Sequence, residues 1–346
     1  MIDRPDNDNQ ALPGGLIGSL RRMGLVAAGE NPTGAPLAGG VSSDIWRVDL
    51  SSGVVCVKSA LPQLKVAAEW YVPTERNVYE LRWFETVGRI VPNAVPAIRG
   101  RDDLASAFAM DYLDPARYPV WKSQLSKGLV DLNIARAVGE TLVAIHAATA
   151  GVECVRRDFA SDDIFRSIRL EPYLVAAARV HPDRSQALQA LFDTTAKTRL
   201  ALVHGDVSPK NILAGPLGPV FLDAECAWYG DPAFDLAFCL NHLLLKCMWV
   251  PTASAALLEA YGVLAAAYLR SVSWEDPAGL EERVARLLPG LLLARVDGKS
   301  PVEYLTDQDK VIVRRSSRAL LAEPVRTLHE VSAALIEEIR HDERPH

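Results

Sequence analysis

The segment from Leu202 to Asp223 carries the residue types and the spacing of a phosphoryl-transfer site. An apolar run ends in His204-Gly205-Asp206, and Asn211 stands five positions after the aspartate. A second apolar run, Val220-Phe221-Leu222, leads directly into Asp223. In such a site one aspartate accepts the proton of the acceptor hydroxyl, while an amide oxygen and a second carboxylate hold Mg²⁺ against the phosphates. The pattern predicts Asp206 as the base and Asn211 and Asp223 as metal ligands.

A single aspartate after a strand is common and is usually structural or part of a turn. An Asp-x4-Asn pair alone would also be weak evidence. The combination of a strand, His-Gly-Asp, an asparagine at plus five and a second strand ending in aspartate is far more specific. Glu225, two positions after Asp223, is a further candidate metal ligand.

Lys58 follows the apolar run Val55-Cys56-Val57 and is predicted to reach the α and β phosphates of a nucleotide. A lone lysine at the end of a strand is usually solvated, so this prediction depends on a carboxylate partner. Glu80 is the best placed partner, because it falls in the middle of the following helix beside the apolar stripe. The competing acids are Glu69, Glu75 and Glu85.

A glycine-containing stretch, Gly39-Gly40-Val41-Ser42, precedes the first strand of the predicted hairpin. Backbone N–H groups of such a turn can point toward phosphate. The stretch lacks the full G-x-G-x-x-G pattern, so as a motif it is weak. Gly39, Gly40 and Ser42 are nevertheless predicted to contact the nucleotide.

The elements that must position these residues are read from hydrophobic periodicity. Apolar runs on both sides of Gly53 predict a β-hairpin with Lys58 on its second strand. Helical spacing of apolar residues predicts a helix over residues 74–91, between two prolines. Short apolar runs near Ala97 and at residues 105–110 predict two further strands.

After Tyr112 helical periodicity dominates. Helices are predicted at 132–148, 188–200, 232–250, 252–269 and 280–296 and in the tail after Glu323, with two strand-like runs at 200–203 and 220–222. Residues 1–13 have few apolar groups and are predicted to be disordered. The predicted fold class is α+β, with a β-rich nucleotide-binding lobe at residues 14–111 and a larger helical lobe for catalysis and substrate at residues 112–346.

These motifs resemble the aminoglycoside phosphotransferase family, which has a two-lobed, protein-kinase-like fold. Several stretches are similar to its 5-methylthioribose kinase branch: Lys58-Ser59-Ala60-Leu61-Pro62 resembles K-Q-A-L-P, Asp223-Ala224-Glu225 resembles D-P-E, and Ala227-Trp228-Tyr229-Gly230 resembles A-F-Y-G. Glu80 falls where the helix glutamate of that branch would be. The resemblance covers about residues 37–246 and is strongest at residues 202–240.

The chain also departs from related patterns. The loop Ser208-Pro209-Lys210-Asn211 resembles the general aminoglycoside phosphotransferase and choline kinase type, which leaves a thiosugar substrate open. Ser208 stands where protein kinases carry lysine, Asp223 is followed by Ala-Glu, and no A-P-E segment follows. A small-molecule acceptor needs no peptide-docking loop, so these differences favour a small-molecule kinase over a protein kinase.

The resemblance implies ATP and Mg²⁺ as cofactors and a hydroxyl of a small molecule as the acceptor. Acceptors like an aminoglycoside, like a sugar or methylthioribose, and like an amino alcohol all stay open. The resemblance implies that backbone groups of Met110, Asp111 and Tyr112 contact the adenine. It also makes Asp235 a residue that orients the catalytic loop, alongside His204, although an acid at such a place is equally often an ordinary helix-start residue.

A polar break, Arg295-Val296-Asp297-Gly298-Lys299, separates two apolar helical stretches. Binding loops are expected at such breaks, so Arg295, Asp297 and Lys299 are predicted to contact the acceptor or to support its pocket. The pattern Ser300-x-x-Glu303 that follows is typical of a capping box and predicts the start of a helix.

Two other functions fit parts of the pattern. A nucleotide-binding pseudokinase could act as an interaction module, but no catalytic position is missing. A metal-dependent hydrolase could use His204, Asp206, Asp223 and His242, but Lys58 would then have no role. A hydrolysis assay that requires metal and no nucleotide would separate this second alternative from a kinase.

Composition limits the setting of the chain. Its 346 residues carry a net charge of −6, which argues against a nucleic-acid partner. The five cysteines are scattered and include no C-x-x-C, which indicates a reducing compartment. The apolar stretch 234–251 contains charged and polar residues, so it reads as a buried helix and no membrane partner is expected. We therefore expect a cytoplasmic protein; its oligomeric state stays open.

Overall fold

The computed structural model describes residues 9–37, 43–60 and 75–342. The chain divides into two compact units, Met1–Asp114 and Pro115–His346. The first unit is mainly a β-sheet and the second is mainly helical, which confirms the predicted α+β class.

The first unit is built on one antiparallel sheet of six strands. The strands are β1 (Gln10–Ala11), β2 (Thr33–Pro36), β3 (Ser43–Leu50), β4 (Gly53–Ala60), β5 (Ile98–Asp102) and β6 (Ala107–Asp111). Their order in the sheet is β1-β2-β3-β4-β6-β5. The predicted hairpin around Gly53 is confirmed, and its second strand lies inside the sheet between β3 and β6. The helices are α1 (Gly14–Arg22) and α2 (Arg76–Ile90).

The prediction that residues 1–13 are disordered is wrong for residues 10–12. Gln10 and Ala11 pair with β2, and Leu12 is buried in the core of the first unit. Gly34 on β2 makes room for this packing, because a Cβ atom at that position would lie 2.3 Å from the Arg47 carbonyl oxygen and 2.9 Å from Leu12 Cδ2. The sequence did not predict this strand, because a single leucine that packs against a distant glycine leaves no pattern in a segment that is otherwise polar.

The second unit consists of helices around two small antiparallel ladders, β7 with β10 and β8 with β9. The strands are β7 (Ala201–Val203), β8 (Ile212–Gly215), β9 (Gly218–Phe221) and β10 (Trp228–Gly230). The helices are α3 (Trp121–Leu125), α4 (Leu132–Thr149), α5 (Glu153–Asp158), α6 (Asp162–Phe165), α7 (Ala176–Val180), α8 (Ser185–Lys197), α9 (Pro232–Trp249), α10 (Ser254–Leu269), α11 (Pro277–Asp297), α12 (Asp307–Ala322) and α13 (Leu328–Asp342). Between α6 and α7, residues Arg166–Val175 form a π-helical segment with Pro172 inside it.

Helix α9 is the central helix of the second unit and is buried from Pro232 to Met248. Asp231 caps its N-terminus by accepting a hydrogen bond from the Ala233 N–H, and Pro232 occupies the first helical position. The predicted helix and its start are therefore confirmed. Among the described residues, the helical stretch Pro251–Leu269 has the length and apolar composition of a membrane span. However, 44% of it is buried inside the fold, as in the core helix of a globular domain.

The helix start predicted at Ser300 is wrong. Residues 298–306 form a loop, and α12 begins after Thr306. Thr306 and Asp309 form the capping box, because each side chain bonds to the backbone N–H of the other. The same S/T-x-x-acid spacing occurs twice within ten residues, and only the tertiary structure decides which copy starts the helix.

Candidate active site

The loop after β7 carries the His-Gly-Asp motif in a conformation that requires glycine. Gly205 has a φ of 80°. A Cβ atom at this position would lie 2.7 Å from the Cys226 carbonyl oxygen. Both the backbone angle and the close neighbour exclude other residue types without a shift of the chain. The tight turn brings Asp206 out of the end of β7.

Asp235 holds this loop through its backbone. Its carboxylate accepts hydrogen bonds from the His204 N–H at 2.7 Å and from the Gly205 N–H at 2.8 Å. Asp235 lies in the first turn of α9 and is fully buried. His146 of α4 supports it from behind, with Nε2 3.3 Å from Asp235 Oδ2 and Nδ1 2.6 Å from the Tyr268 hydroxyl. A charged acceptor for two backbone donors fixes the loop to the central helix.

His204 is committed to the same loop. Its Nδ1 accepts a hydrogen bond from the Asp206 N–H at 3.1 Å, and its Nε2 donates to the Leu222 carbonyl at 3.1 Å. Burial lowers the pKa of His204, which favours the neutral ring that this pair of bonds requires. Because both ring nitrogens are used, His204 links the loop to the end of β9 and has no nitrogen left for a metal.

Asp206 is buried and faces two cations. Its Oδ2 atom lies 2.8 Å from Arg169 Nη2 and 3.4 Å from Lys210 Nζ. Asp206 is 4% exposed and the Arg169 side chain 10%, so solvent screens this pair little, whereas the Lys210 side chain is 55% exposed. Asp206 in turn raises the pKa of Lys210 and keeps that lysine charged.

No motif in the sequence predicts Arg169 as a site residue. It lies in the π-helical segment, and its Nε donates to the Gly205 carbonyl at 2.6 Å while its Nη2 faces Asp206. One guanidinium thus binds both the backbone and the carboxylate of the His-Gly-Asp loop. The signal available in the sequence was weak: Pro172 inside an apolar helical stretch marks a distortion, and π-type distortions are frequent at functional sites.

Asn211 and Asp223 come together at the open end of the β8–β9 hairpin. The Asn211 carbonyl accepts a hydrogen bond from the Leu222 N–H at 2.9 Å. The Asn211 side-chain nitrogen donates to the Asp206 carbonyl at 3.1 Å, which fixes the orientation of the amide. Asp223 has a φ of 66°, a left-handed conformation that is rare outside glycine and that recurs at functional sites. Carboxylate oxygens of Asp223 and Glu225 lie within 4.8 Å of each other.

In the first unit, Lys58 and Glu80 form a buried ion pair. Lys58 Nζ lies 2.9 Å from Oε1 and 2.7 Å from Oε2 of Glu80. Lys58 sits inside the sheet on β4 and Glu80 faces it from α2, and both residues are at most 3% exposed. Of the competing acids, Glu75 precedes α2 and is exposed, Glu85 is half-buried, and Glu69 lies outside the described residues.

The residues expected at the adenine lie at the end of β6. Met110 pairs with Cys56 across the sheet. The Asp111 N–H donates to the Ala97 carbonyl at 2.9 Å, so this donor is already used within the unit. The Tyr112 ring lies under the Arg47 guanidinium, 5.5 Å from its centroid. The predicted phosphate-binding residues Gly39, Gly40 and Ser42 lie outside the described residues.

A cavity of about 260 Å³ opens beside Asp206 in the second unit. Helix α9 lines it with Phe238, His242 and Lys246, which follow at four-residue spacing on one face. The other basic residues of its wall come from α3, the π-helical segment, the loop between β7 and β8, and α11, and they are Lys122, Arg169, Lys210 and Arg295. The acidic residues of the wall are Asp206 and Glu303.

Of the three residues predicted from the polar break, the structure brings only Arg295 to this cavity. Arg295 lies in the last turn of α11, not in a loop, and donates to the Tyr173 hydroxyl at 3.2 Å. Asp297 instead pairs with Arg314 at 2.7 Å and with His181 at 2.7 Å, away from the cavity wall. Lys299 is exposed and does not line the cavity. On a helix, residues 295 and 297 face different sides, which a loop prediction could not show.

Both the matching family model and the similar curated proteins are phosphotransferases. The model of the family described as APH, phosphotransferase enzyme family, matches residues 33–283. A methylthioribose kinase of Bacillus cereus is 22% identical over 230 residues, covering 59% of this chain and 58% of that protein. The chain therefore matches less than two thirds of the length of that relative.

Solved structures with similar folds include two small-molecule kinases. A choline kinase from Cryptosporidium parvum has a TM-score of 0.53 and 13% identity, covering 87% of this chain and 93% of that one. An amicoumacin kinase in complex with AMP-PNP, Ca2+ and Ami has a TM-score of 0.51 and 14% identity, covering 86% of this chain and 91% of that one. At these identities the likeness concerns the fold.

Proposed function

Because this chain belongs to the phosphotransferase enzyme family, as its motifs indicated, we propose that it transfers the γ-phosphoryl group of ATP to a hydroxyl of a small molecule. The observation that supports this best is the buried Asp206, held at the end of β7 by a loop whose backbone is bonded to Asp235 and Arg169. A rigid, correctly placed carboxylate is what phosphoryl transfer requires of a protein, since positioning and charge neutralisation supply most of its rate enhancement.

Asp206 would bind the acceptor hydroxyl and accept its proton. Oδ2 already faces Arg169 and Lys210, so Oδ1 is the oxygen proposed to take the hydroxyl hydrogen bond. In the transfer, the acceptor oxygen forms a bond to the γ-phosphorus, the bond from that phosphorus to the bridging oxygen of ADP breaks, and the proton of the hydroxyl passes to Asp206. The charged Lys210 lies beside this carboxylate and can neutralise phosphoryl oxygens.

Asn211, Asp223 and Glu225 fit a magnesium site by the chemistry of their donors. All three offer the hard amide or carboxylate oxygens that Mg²⁺ prefers. Asn211 uses its side-chain nitrogen in the loop, which leaves its side-chain oxygen as the available ligand atom. When bound, Mg²⁺ supplies neutralisation of the phosphate charge. The first unit would hold the α and β phosphates through Lys58, which Glu80 keeps in place.

The hydrolase alternative is disfavoured by His204. Both of its ring nitrogens are engaged, one by the Asp206 N–H and one by the Leu222 carbonyl, so it cannot act as a metal ligand without breaking the loop. The pseudokinase alternative predicts nucleotide binding without transfer. The pseudokinase alternative gives no role to the cavity beside Asp206.

The test is an ADP-release assay with MgATP and a panel of sugars, aminoglycosides and amino alcohols, with the product identified by mass. Asp206→Asn should lose turnover by orders of magnitude while it still binds ATP, and the exposed Asp163→Asn should behave as the wild type. Transfer that persists in Asp206→Asn would contradict the assignment of the base. ATP binding with no transfer to any acceptor would favour the pseudokinase. The cytoplasmic setting stays a prediction.

A further inference from the structure

The wall of the cavity beside Asp206 has an excess of positive charge. Five basic side chains line it, against two carboxylates. Arg169 and Lys210 are engaged with Asp206, and Lys122 is engaged with Glu303 at 2.5 Å. Two cations, Lys246 and Arg295, remain after these pairs. The charge is arranged in two parts, one around the catalytic carboxylate and one farther along the wall.

Lys246 is buried without a counter-charge. Only 1% of it is exposed. Its Nζ lies 5.0 Å from the centre of the Tyr304 ring and 5.5 Å from that of Trp249, so the ammonium group faces two aromatic rings. Within the described part of the chain, no carboxylate lies within ion-pair distance of it. A buried ammonium is costly unless an anion joins it.

Arg295 is half-buried and also has no ion-pair partner among the described residues. Its Nη1 donates to Tyr173 and to Ser300, which are neutral partners. Its Nε is buried and has no hydrogen-bond partner among the described residues, and the same holds for the Tyr304 hydroxyl and the Ser208 hydroxyl. All four residues that carry these features, Lys246, Arg295, Tyr304 and Ser208, line the cavity. Unpartnered buried donors beside an open cavity indicate a missing acceptor of hydrogen bonds.

We propose that this cavity binds an acceptor that carries an oxyanion, a carboxylate or a phosphate, in addition to the hydroxyl that is phosphorylated. This inference rests on the proposed function, because it places the hydroxyl at Asp206. The oxyanion binds Arg295 and Lys246, with Tyr304 as a further donor. The guanidinium edge and the ammonium together match the oxygens of one such group.

The charge disfavours cationic acceptors. An aminoglycoside or a quaternary amino alcohol would bring positive charge into a wall that already has unpaired cations, and like charges close together in a buried site repel strongly. The volume of about 260 Å³ is below the range that holds drug-sized ligands, which fits a small metabolite. A neutral sugar would supply no anion to Lys246 and Arg295.

The test compares molecules that differ in one end group. The probes are 4-hydroxybutyrate, 1,4-butanediol and 4-amino-1-butanol, together with glycerol 3-phosphate and glycerol. Each is titrated at constant ionic strength while the tryptophan fluorescence is read, because Trp249 stacks on Tyr304 at the cavity wall. The same compounds are then offered as acceptors with MgATP. We expect saturable binding of one of the two anionic probes, and which one binds distinguishes a carboxylate from a phosphate site.

Variants locate the binding. Arg295→Gln and Lys246→Met should each weaken binding of the anionic probe, and raise its KM where it is phosphorylated, by about tenfold or more. The KM for ATP should not change. The matched control is Arg270→Gln, which removes an exposed guanidinium outside the cavity and should change neither constant.

Several outcomes would overturn the inference. One is that the diol, glycerol or the amino alcohol binds as tightly as the anions, or that no probe binds. Another is that Arg295→Gln and Lys246→Met leave anion binding unchanged. The third is that they raise the KM for ATP instead, which would assign these cations to the nucleotide. Phosphorylation of a neutral or cationic acceptor in the wider panel, insensitive to both variants, would overturn the inference but leave the proposed function intact. Absence of transfer to every acceptor would contradict the function itself.

Discussion

Arg169 Nη2 lies 2.8 Å from Oδ2 of Asp206, and both side chains are at most a tenth exposed. The same guanidinium donates through Nε to the Gly205 carbonyl. Two bonds from one planar group fix the carboxylate relative to the backbone that carries it. We therefore propose that Arg169 is a positioning residue for the reaction, in addition to the charge it places beside Asp206.

Arg169→Met and Arg169→Lys test this positioning role. Loss of the guanidinium should lower kcat by about a hundredfold and leave the KM for ATP unchanged, because a misplaced base costs rate and not nucleotide affinity. Lysine restores the charge but cannot make both bonds, so it should recover only part of kcat. Steady-state kinetics of both variants check this. Full recovery by lysine would show that charge alone matters.

Asp223→Ala tests the proposed metal site. If Asp223 is a ligand, the tightening of ATP binding by Mg²⁺ should disappear in the variant, while ATP binding without metal stays the same. Calorimetric titration of ATP with and without Mg²⁺ measures the difference. The same tightening in the variant and the wild type would exclude Asp223 as a ligand.

Asp235→Asn tests the hydrogen bonds between α9 and the His204-Gly205-Asp206 loop. An amide has only one acceptor oxygen for the two N–H groups of His204 and Gly205, so one buried donor would lose its partner. We expect the free energy of unfolding to fall by about 1.5–3 kcal/mol, the range for hydrogen bonds to charged groups. Urea denaturation measures it, with the exposed Asp163→Asn as the matched control. An unchanged stability would show that the loop does not depend on this carboxylate.

Lys246→Met tests the buried ammonium. Burial, together with Lys122 and Arg295 nearby, lowers the pKa of Lys246 from 10.5 to about 7, although Glu303 opposes the shift. Below about pH 7 the folded protein carries the full penalty of the buried charge. Between pH 7 and 10.5 the unfolded chain still binds the proton that the folded protein has lost, so the penalty falls as the pH rises.

The variant should therefore unfold at a higher temperature than the wild type, and the gain should be largest below about pH 7 and shrink toward pH 10.5. Thermal unfolding over this pH range, without added anions, measures the gain. Lys127→Met, which removes an exposed lysine, is the control and should show no such trend. A gain that grows with pH would contradict the shift.

The sequence by itself determined the parts of this protein that depend on residues close together in the chain. The His-Gly-Asp loop, Asn211 and Asp223 fall within one strand–loop–hairpin, so their spacing alone places them at one end of that unit. The pairing of Lys58 with Glu80 was also predictable, because a strand followed by a helix that packs on the same sheet leaves few carboxylates in reach. The family followed from the same local motifs.

The tertiary structure alone decided what surrounds Asp206. Arg169, Lys246 and Arg295 come from three helical segments far apart in the chain, and no local pattern marks them. The region after residue 250 contains slightly more acidic than basic residues, yet the wall of the cavity is basic. The reason is that four of the five basic wall residues come from earlier in the chain, and of the acids after residue 250 only Glu303 lines the wall. Asp297, two positions from Arg295, shows the reason: on a helix, consecutive side chains point in different directions, and only the packing of that helix decides which of them reaches the site.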